Sequence, residues 1–265
     1  MPEGPEVKIF ADGIRSHLLG RTITKACILS GRYSKKEPEG WKLFSFPLKV
    51  TEVGCKGKFI FVSLEKNFHI FNTLGMTGSW SGTSRKHSRV LFCLDNGGEI
   101  YFNDIRNFGT LKLVNKKSSL KEKLDSIGPD MLSEDISLDL FTKRIKSSKK
   151  TIAEALMNQS IVSGVGNYLK SECLYFSRIS PHRLVSSLTD LEISTLNNVI
   201  KSVIRESYRT GGATIYTFSG FNGQIGDYKR RFAVYNQLTD PEGREIKRET
   251  TRDDRTSFWV PEIQQ

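Results

Sequence analysis

The sequence predicts an α+β protein of two domains, with a β-sandwich or barrel in its N-terminal half and mostly helices in its C-terminal half. Three observations carry this prediction. An amphipathic helical pattern begins the chain, short runs rich in β-branched and aromatic residues fill residues 22–114, and helical periodicity returns from residue 151. A chain of 265 residues is long enough to bury two separate cores.

The first predicted element is a helix that begins near Pro5, because the fixed φ of proline suits a first helical turn. Gly20 supplies the stop signal. Between them, apolar residues recur every three or four positions: Val7, Phe10, Ile14 and Leu18. One amphipathic helix therefore precedes the β-rich region.

The β-rich region contains several short strand-like runs, and the sequence Asn-Gly-Gly of residues 96–98 predicts a hairpin turn. These runs are PLKVTEV, KFIFVSL, RVLFCL and EIYFND. A polar, basic stretch that contains GPD follows and predicts a linker. We therefore expect domains at residues 1–115, 135–228 and 229–265, with the linker at 116–134.

The C-terminal half starts with the helical segment TIAEALMNQ and continues through a glycine-bearing turn, SIVSGVGN, into a second helix, NYLKSECLYFSR. Thr189 and Glu192 form a capping-box pattern ahead of a third helix. Beyond Arg231, FAVYN and TSFWV are typical of strands and enclose a polar segment, which predicts a terminal β-hairpin.

The charge balance predicts a polyanionic partner. Forty Lys and Arg stand against 29 Asp and Glu, giving a net charge of +11 and a pI near 9.5. The excess could serve solubility alone, but its concentration in residues 112–123 and 141–150 favours nucleic acid. No apolar run is long enough to span a membrane, and the N-terminus lacks a secretory signal. The four widely spaced cysteines suggest neither a zinc site nor a disulfide framework, so we expect an intracellular protein.

The opening sequence MPEGPEV predicts a reactive terminus. If Met1 is removed, Pro2 presents a secondary amine whose reference pKa of about 8 leaves a nucleophilic fraction at neutral pH. Glu3 and Glu6 provide carboxylates for proton transfer. Simple capping of the first helix explains Glu6 equally well.

The GVGN turn offers a second candidate site. Gly164 and Gly166 permit tight backbone geometry, and Asn167 stands where the next helix begins. Its amide and the free N–H groups of that helix could hold a phosphate. An ordinary helix–helix turn accounts for the same glycines.

Six short motifs in register give the sequence a family resemblance over nearly its whole length. They are MPEGPEV, GKFIFVSL, LGMTGSW, DIRNFG, SGVGNYLKSECLY and DRTSFWV. Together they resemble the formamidopyrimidine-DNA glycosylase and endonuclease VIII family. Gly4 and the segment SGRYSKKEPEG are similar to the endonuclease VIII-like branch, including its animal and giant-virus members.

The resemblance implies a fold with a helix-two-turn-helix element and a C-terminal finger hairpin, and an enzyme that excises oxidised bases and then cleaves the abasic strand by β,δ-elimination. It implies that Pro2 is the nucleophile that forms a Schiff base and that Glu3 is the general acid/base. Glu6 matches a further acid of less certain role. Lys58 matches a lysine that contacts the phosphate of the lesion, which suits a fixed cation, whereas a surface lysine at a strand start is the plainer interpretation.

Met76, Arg106 and Phe108 match residues that fill the gap left by the flipped nucleotide, and these side-chain types suit such a void. Core packing is the alternative for Met76 and Phe108. Asn167 matches a phosphate ligand in the helix-two-turn-helix element.

The finger departs from the usual pattern. Its four cysteine positions fall at Glu242, Glu245, Val260 and Ile263, which cannot hold zinc as a set, so the resemblance implies a zincless finger and no cofactor. Arg255 keeps the place of the finger arginine that binds phosphate. At Thr73, where many relatives have a basic residue, a phosphate contact is missing or moved.

By resemblance the substrates are oxidised pyrimidines and hydantoins in double-stranded and also single-stranded DNA, and the enzyme is a monomer. Residues 214–231 are expected beside the flipped base. A non-catalytic protein that binds damaged or structured nucleic acid is the alternative, and the combination of Pro2, Glu3 and Lys58 argues against it, because binding alone needs no terminal amine.

Overall fold

A computed structural model describes residues 2–116, 118–213, 221, 223 and 225–265 of the chain. Its α-helices are α1 (Gly4–Leu18), α2 (Ser119–Asp125), α3 (Leu138–Lys146), α4 (Ile152–Met157), α5 (Asn167–Phe176) and α6 (Asp190–Arg209). Its strands are β1 (Thr22–Ile28), β2 (Leu48–Lys56), β3 (Phe59–Leu64), β4 (Phe68–Thr73), β5 (Gly78–Ser81), β6 (Ser88–Leu94), β7 (Glu99–Asp104), β8 (Thr110–Asn115), β9 (Lys247–Thr250) and β10 (Thr256–Trp259). The predicted α+β class is confirmed.

The first eight strands form an antiparallel β-sandwich. Their order is β5-β7-β6-β1-β2-β3-β4-β8, and β1 meets β2 only through the pairs Thr22–Lys49 and Ile23–Leu48. This short junction lets the two halves of the sheet face each other around one core. Trp80 of β5 is buried in that core, and its Nε1 donates to Oδ1 of Asn72 on β4 at 3.0 Å.

Helix α1 covers the sandwich with the apolar face that the sequence predicts. Its side chains at Val7, Phe10, Ile14 and Leu18 are all buried. The helix ends at Leu18, and Gly20 adopts a left-handed φ of 79°. The hairpin turn between β6 and β7 is also as predicted, with Gly97 at φ 79°.

The helical half has a core of its own. Its buried residues include Ile152 and Leu156 of α4, Leu169 and Cys173 of α5, and Leu196 and Ile200 of α6. The capping box of α6 is confirmed, since Oγ1 of Thr189 accepts from the Glu192 N–H and the Glu192 carboxylate accepts from the Thr189 N–H. Even charged residues of α5 are buried: Lys170 and Glu172 are both 0% exposed.

The predicted terminal hairpin forms, but one of its predicted strands is wrong. Strands β9 and β10 pair from Thr250–Thr256 to Lys247–Trp259. FAVYN is not a strand, because the N–H groups of Ala233, Val234 and Tyr235 all donate to the carboxylate of Glu172, at 2.8–3.0 Å. These donors are therefore not available to a β-ladder. Strand β9 forms instead within the polar segment that lies between FAVYN and TSFWV.

The domain boundaries stay predictions, although α2 lies inside the expected linker. The hairpin packs on a small cluster of its own formed by Tyr175, Ala233, Val234, Ile246, Phe258 and Val260. Throughout the described part of the chain, the helices are too short or too polar to cross a lipid bilayer.

Candidate active site

The start of the chain is docked on the turn between α4 and α5. The Gly4 N–H donates to the Gly164 carbonyl at 2.8 Å, and a Cβ on Gly4 would lie 2.9 Å from the Gly164 Cα. Pro2 is buried beside this contact, and Met1 lies outside the described residues. The approach requires glycine at position 4, and the left-handed φ of 90° at Gly164 favours glycine in the turn itself.

The carboxylate of Glu3 occupies the N-terminus of α5. It accepts from the N–H groups of Tyr168 at 2.9 Å and Leu169 at 3.2 Å, and the residue is 3% exposed. A Cβ on Gly166 would lie 2.2 Å from the Glu3 side chain, so only glycine fits there. The N–H groups of Tyr168 and Leu169 are therefore bound to Glu3 and are not free to hold a phosphate, whereas phosphate binding by the Asn167 amide stays a prediction.

Glu6 does more than cap α1. Its carboxylate accepts from the Glu3 N–H at 2.7 Å, as a capping residue would, and also from the Tyr168 hydroxyl at 2.9 Å and the Ala213 N–H at 2.7 Å. Ala213 directly precedes residues 214–220, which lie outside the described part of the chain. Glu6 thus joins the first helix to the edge of the segment expected to meet the flipped base.

Lys58 brings a cation to the two carboxyls from the sandwich. It follows Gly57, whose left-handed turn (φ 55°) packs against Ser163. Burial raises the pKa of Glu3 to about 7, against the lowering effect of Lys58, and burial also raises the pKa of Glu6. Burial lowers the pKa of Lys58, although both carboxylates oppose this. A proton can therefore move within this cluster near neutral pH.

Asn167 and the finger arginine meet at the same helix end. The Asn167 amide Nδ2 donates to the Thr256 carbonyl at 2.8 Å, and Thr256 follows Arg255 in the chain. The Arg255 side chain is exposed, and its positive charge contributes to lowering the pKa of Lys58. The fold therefore brings Lys58, Asn167 and Arg255 to one region beside Glu3.

Met76, Arg106 and Phe108 form a separate exposed cluster. The Arg106 guanidinium contacts the Met76 sulfur at 3.1 Å and lies 4.7 Å from the centre of the Phe108 ring. Met76 is 40% and Phe108 53% exposed, so the core-packing alternative is wrong for both. Two apolar side chains stacked on a cation at the surface are available to a partner.

Of the four finger positions that the resemblance assigns to cysteines, two hold apolar residues that pack in the protein and two hold glutamates. Val260 is fully buried and Ile263 packs against the same cluster, while Glu242 pairs with Arg244. Among the described residues, His, Cys, Asp and Glu form no group that could hold a metal ion. Thr73 donates to or accepts from Thr110 at 2.7 Å instead of presenting a cation.

No sequence pattern predicts the buried ion pair between Lys170 and Asp253. Their charged atoms are 2.6 Å apart and the side chains are 0% and 3% exposed. The partners are 83 residues apart, and neither belongs to a spacing pattern. Tyr168, which binds Glu6, was missed for the same reason.

Two family profiles match the chain. The formamidopyrimidine-DNA glycosylase N-terminal domain matches residues 1–111, and the formamidopyrimidine-DNA glycosylase H2TH domain matches residues 127–219. A formamidopyrimidine-DNA glycosylase of Desulfitobacterium hafniense is 31% identical over 248 residues, which cover 91% of this chain and 90% of the relative. One of Pediococcus pentosaceus is 29% identical over 246 residues, covering 89% and 88%.

Solved structures agree with these matches. The MutM (Fpg) protein of Thermus thermophilus superposes with a TM-score of 0.88 at 29% identity, over 99% of this chain and 98% of that one. The Lactococcus lactis Fpg in complex with DNA that contains an abasic site has a TM-score of 0.86 at 24% identity, with 99% of each chain covered. At 24% identity, the likeness to the Lactococcus lactis protein shows a shared fold alone.

Proposed function

The chain belongs to the formamidopyrimidine-DNA glycosylase and endonuclease VIII family, and from this membership we propose that it removes oxidised bases from DNA and cleaves the strand at the abasic site it creates. One observation carries the proposal. The Pro2–Glu3 terminus is held against the N-terminus of α5 by the Glu3 carboxylate and the Gly4–Gly164 hydrogen bond. A terminal amine fixed beside a carboxyl of pKa about 7 is suited to covalent catalysis.

The first step is attack by the Pro2 nitrogen after removal of Met1. The nitrogen forms a bond to C1′ as the bond from C1′ to the damaged base breaks, and the base leaves with the bonding electrons and takes up a proton. The Pro2 nitrogen then loses its proton, and opening of the sugar ring gives an iminium between Pro2 and C1′ as the ring oxygen takes up a proton. The buried carboxyl of Glu3 supplies and accepts these protons, since both of its forms are populated near pH 7.

Strand cleavage follows from the iminium, which acidifies the neighbouring C–H bond. Loss of a proton from C2′ expels the 3′ phosphate, and loss of a proton from C4′ expels the 5′ phosphate, which completes β,δ-elimination. Lys58 and Arg255 stabilise the negative charge on the phosphates during these steps, because Lys58 interacts electrostatically both with Glu3 and with Arg255. Glu6 holds Glu3 and the Ala213 edge in place through its three hydrogen bonds.

Holding the extruded nucleotide requires that its place in the duplex be filled. Met76, Arg106 and Phe108 are exposed and mutually packed, which suits insertion into the stack. Asn167, Lys58 and Arg255 bind the phosphates around the lesion. We propose oxidised pyrimidines and hydantoins as the bases removed, on the sequence features shared with the endonuclease VIII branch, and a monomer acting on duplex and single-stranded DNA inside the cell.

Borohydride trapping on DNA with an abasic site tests the proposal. Hydride reduces the iminium and leaves a stable covalent adduct with the wild-type protein, whereas Pro2→Ala should give none while still binding DNA. Tight binding by the wild type without adduct or strand cleavage would establish the non-catalytic alternative. Mass spectrometry of the active protein should find Pro2 as the first residue, and retention of Met1 would rule out the mechanism.

Two further measurements define the substrate and the finger. A panel of single-lesion duplexes and single strands should give faster excision of oxidised pyrimidines and hydantoins than of 8-oxoguanine, and the reverse order would contradict the proposed specificity. A metal chelator should leave strand cleavage unchanged, because the four finger positions carry no cysteine. Stoichiometric zinc in the purified protein would contradict this.

A further inference from the structure

The loop that carries Arg255 is tied to α5 on both sides of the arginine. On one side Asp253 pairs with Lys170 at 2.6 Å, and on the other the Thr256 carbonyl accepts from Asn167. Both anchoring side chains lie in the first four residues of α5, the helix end that Glu3 also occupies. The hairpin loop and the catalytic carboxyl therefore share one rigid support.

A continuous chain of contacts leads from Lys170 to the backbone of Arg255. Asp253 uses one carboxylate oxygen for Lys170 and the other for the hydroxyl of Thr251. The Thr251 N–H donates to the Arg255 carbonyl at 3.0 Å. Asp254, between them, adopts a left-handed φ of 55°, which fixes the turn that presents the arginine.

The Lys170–Asp253 pair is a poor device for stability alone. Both side chains are removed from water, and the cost of desolvating two charges offsets most of their mutual attraction. Burial indeed lowers the pKa of Lys170, although Asp253 opposes this. An apolar pair of similar volume would hold the fold as well. A directional contact between charges, in contrast, fixes the position of the loop relative to the helix.

We propose that Lys170 and Asp253 are positioning residues, which set the place of the Arg255 guanidinium relative to Glu3 and the substrate phosphate. In this finger, the ion pair fixes the loop that carries Arg255 relative to α5. The inference rests on the proposed function, in which Arg255 binds a phosphate during strand cleavage.

A double-mutant cycle on strand cleavage tests the inference. The four proteins are the wild type, Arg255→Ala, Lys170→Met/Asp253→Asn and the combination, assayed under single turnover on a duplex with one abasic site. Arg255→Ala should slow the wild type by about 100-fold, the order seen when one preorganised donor is removed. In the Lys170→Met/Asp253→Asn background the same change should cost less than about threefold, because the guanidinium is already misplaced there.

The Lys170→Met/Asp253→Asn variant should keep the stability of the fold. Removing both charges leaves no unpaired buried ion, so the thermal midpoint of this variant should stay near that of the wild type. If Arg255→Ala then costs equally much in both backgrounds, the pair does not position the arginine and the inference is wrong. The exposed Lys112–Glu39 pair of the sandwich, 2.7 Å apart, provides the matched control, and Lys112→Met/Glu39→Gln should leave the Arg255→Ala effect intact.

If the double variant does not fold, Asp253→Asn alone replaces it in the cycle. The asparagine keeps the shape of the side chain, and Lys170 can lose its proton more readily than an exposed lysine because burial lowers its pKa. The same loss of the Arg255→Ala effect is expected, and an undiminished effect overturns the inference. A wild type that neither cleaves nor is trapped on abasic DNA overturns the proposed function itself, which separates the two failures.

Discussion

At the scale of single residues, the site depends on the burial of Glu3, which raises the pKa of its carboxyl more than the nearby Lys58 lowers it. Its carboxyl has a pKa of about 7 in the folded protein against 4.5 as the ordinary value, chiefly because burial disfavours the charged form. The folded state therefore holds this proton more tightly than the unfolded state does. Stability contributed by the protonated carboxyl is fully present below pH 4.5 and is lost as the pH rises through 7.

Glu3→Gln should remove this pH dependence, since the amide does not ionise. The difference in free energy of unfolding between the variant and the wild type should change in favour of the variant by about 3 kcal/mol from pH 4 to pH 8.5. This figure is the free-energy equivalent of the raised pKa of Glu3. Denaturant titrations at several pH values measure this difference. Glu39→Gln, at an exposed carboxyl, is the control that should follow the wild type. A difference between Glu3→Gln and the wild type that does not vary with pH would contradict the argument.

Gly166→Ala tests how tightly Glu3 is placed. The backbone at Gly166 (φ −126°) accepts alanine, so the only obstacle is its Cβ, which would lie 2.2 Å from the Glu3 side chain. Displacing Glu3 should cost about 1–3 kcal/mol of stability and slow strand cleavage by about 100-fold. In Gly82→Ala the nearest atom is 3.8 Å from the new Cβ, and cleavage should be unchanged. Wild-type cleavage by Gly166→Ala would mean that Glu3 needs no fixed position.

At the scale of elements, the sequence predicted helices better than the finger. The α1 and α6 patterns are local, since spacing, caps and stop signals lie within one segment, and both helices form as predicted. FAVYN has strand-like composition, but a carboxylate 61–63 residues earlier binds its N–H groups. The motif at the chain start predicted the candidate site at Pro2 and Glu3, whereas the contacts of Tyr168 with Glu3 and Glu6 join residues distant in sequence.

Glu172 is therefore expected to hold the segment before the finger. Glu172→Gln keeps the shape but removes the charge and one acceptor oxygen from three hydrogen bonds, at a cost of roughly 1.5–3 kcal/mol. Hydrogen exchange should accelerate at the amides of residues 233–235. Thr189→Ala, which removes the cap of α6 at a cost of about 1 kcal/mol, should leave those amides protected. Equal exchange in Glu172→Gln and the wild type would show that packing alone fixes this segment.

At the scale of the whole molecule, the proposed DNA site draws on both cores. The sandwich contributes Lys58 and the exposed Arg106 cluster, and the helical half with its finger contributes Asn167 and Arg255. The first helix connects them, since Gly4 and Glu3 bind the α4–α5 turn while Phe10 and Ile14 lie in the sandwich core. The proposed nucleophile, Pro2, thus lies where the two halves meet.

This arrangement and the net charge of +11 predict binding that weakens steeply with salt. Each phosphate neutralised adds about −0.9 to the slope of log K against log salt, so six to ten contacts would lower affinity by about 10³–10⁵ between 50 and 200 mM. Fluorescence anisotropy with a duplex carrying a stable abasic analogue measures the slope.

Arg255→Ala should reduce the magnitude of this slope by about 0.9, because one phosphate contact is lost. Arg209→Ala should not change the slope, because that guanidinium already pairs with Glu206 on the surface of α6. A slope near zero would mean that the basic residues do not meet the backbone of DNA, and the assignment of phosphate contacts to Lys58 and Arg255 would then fail together.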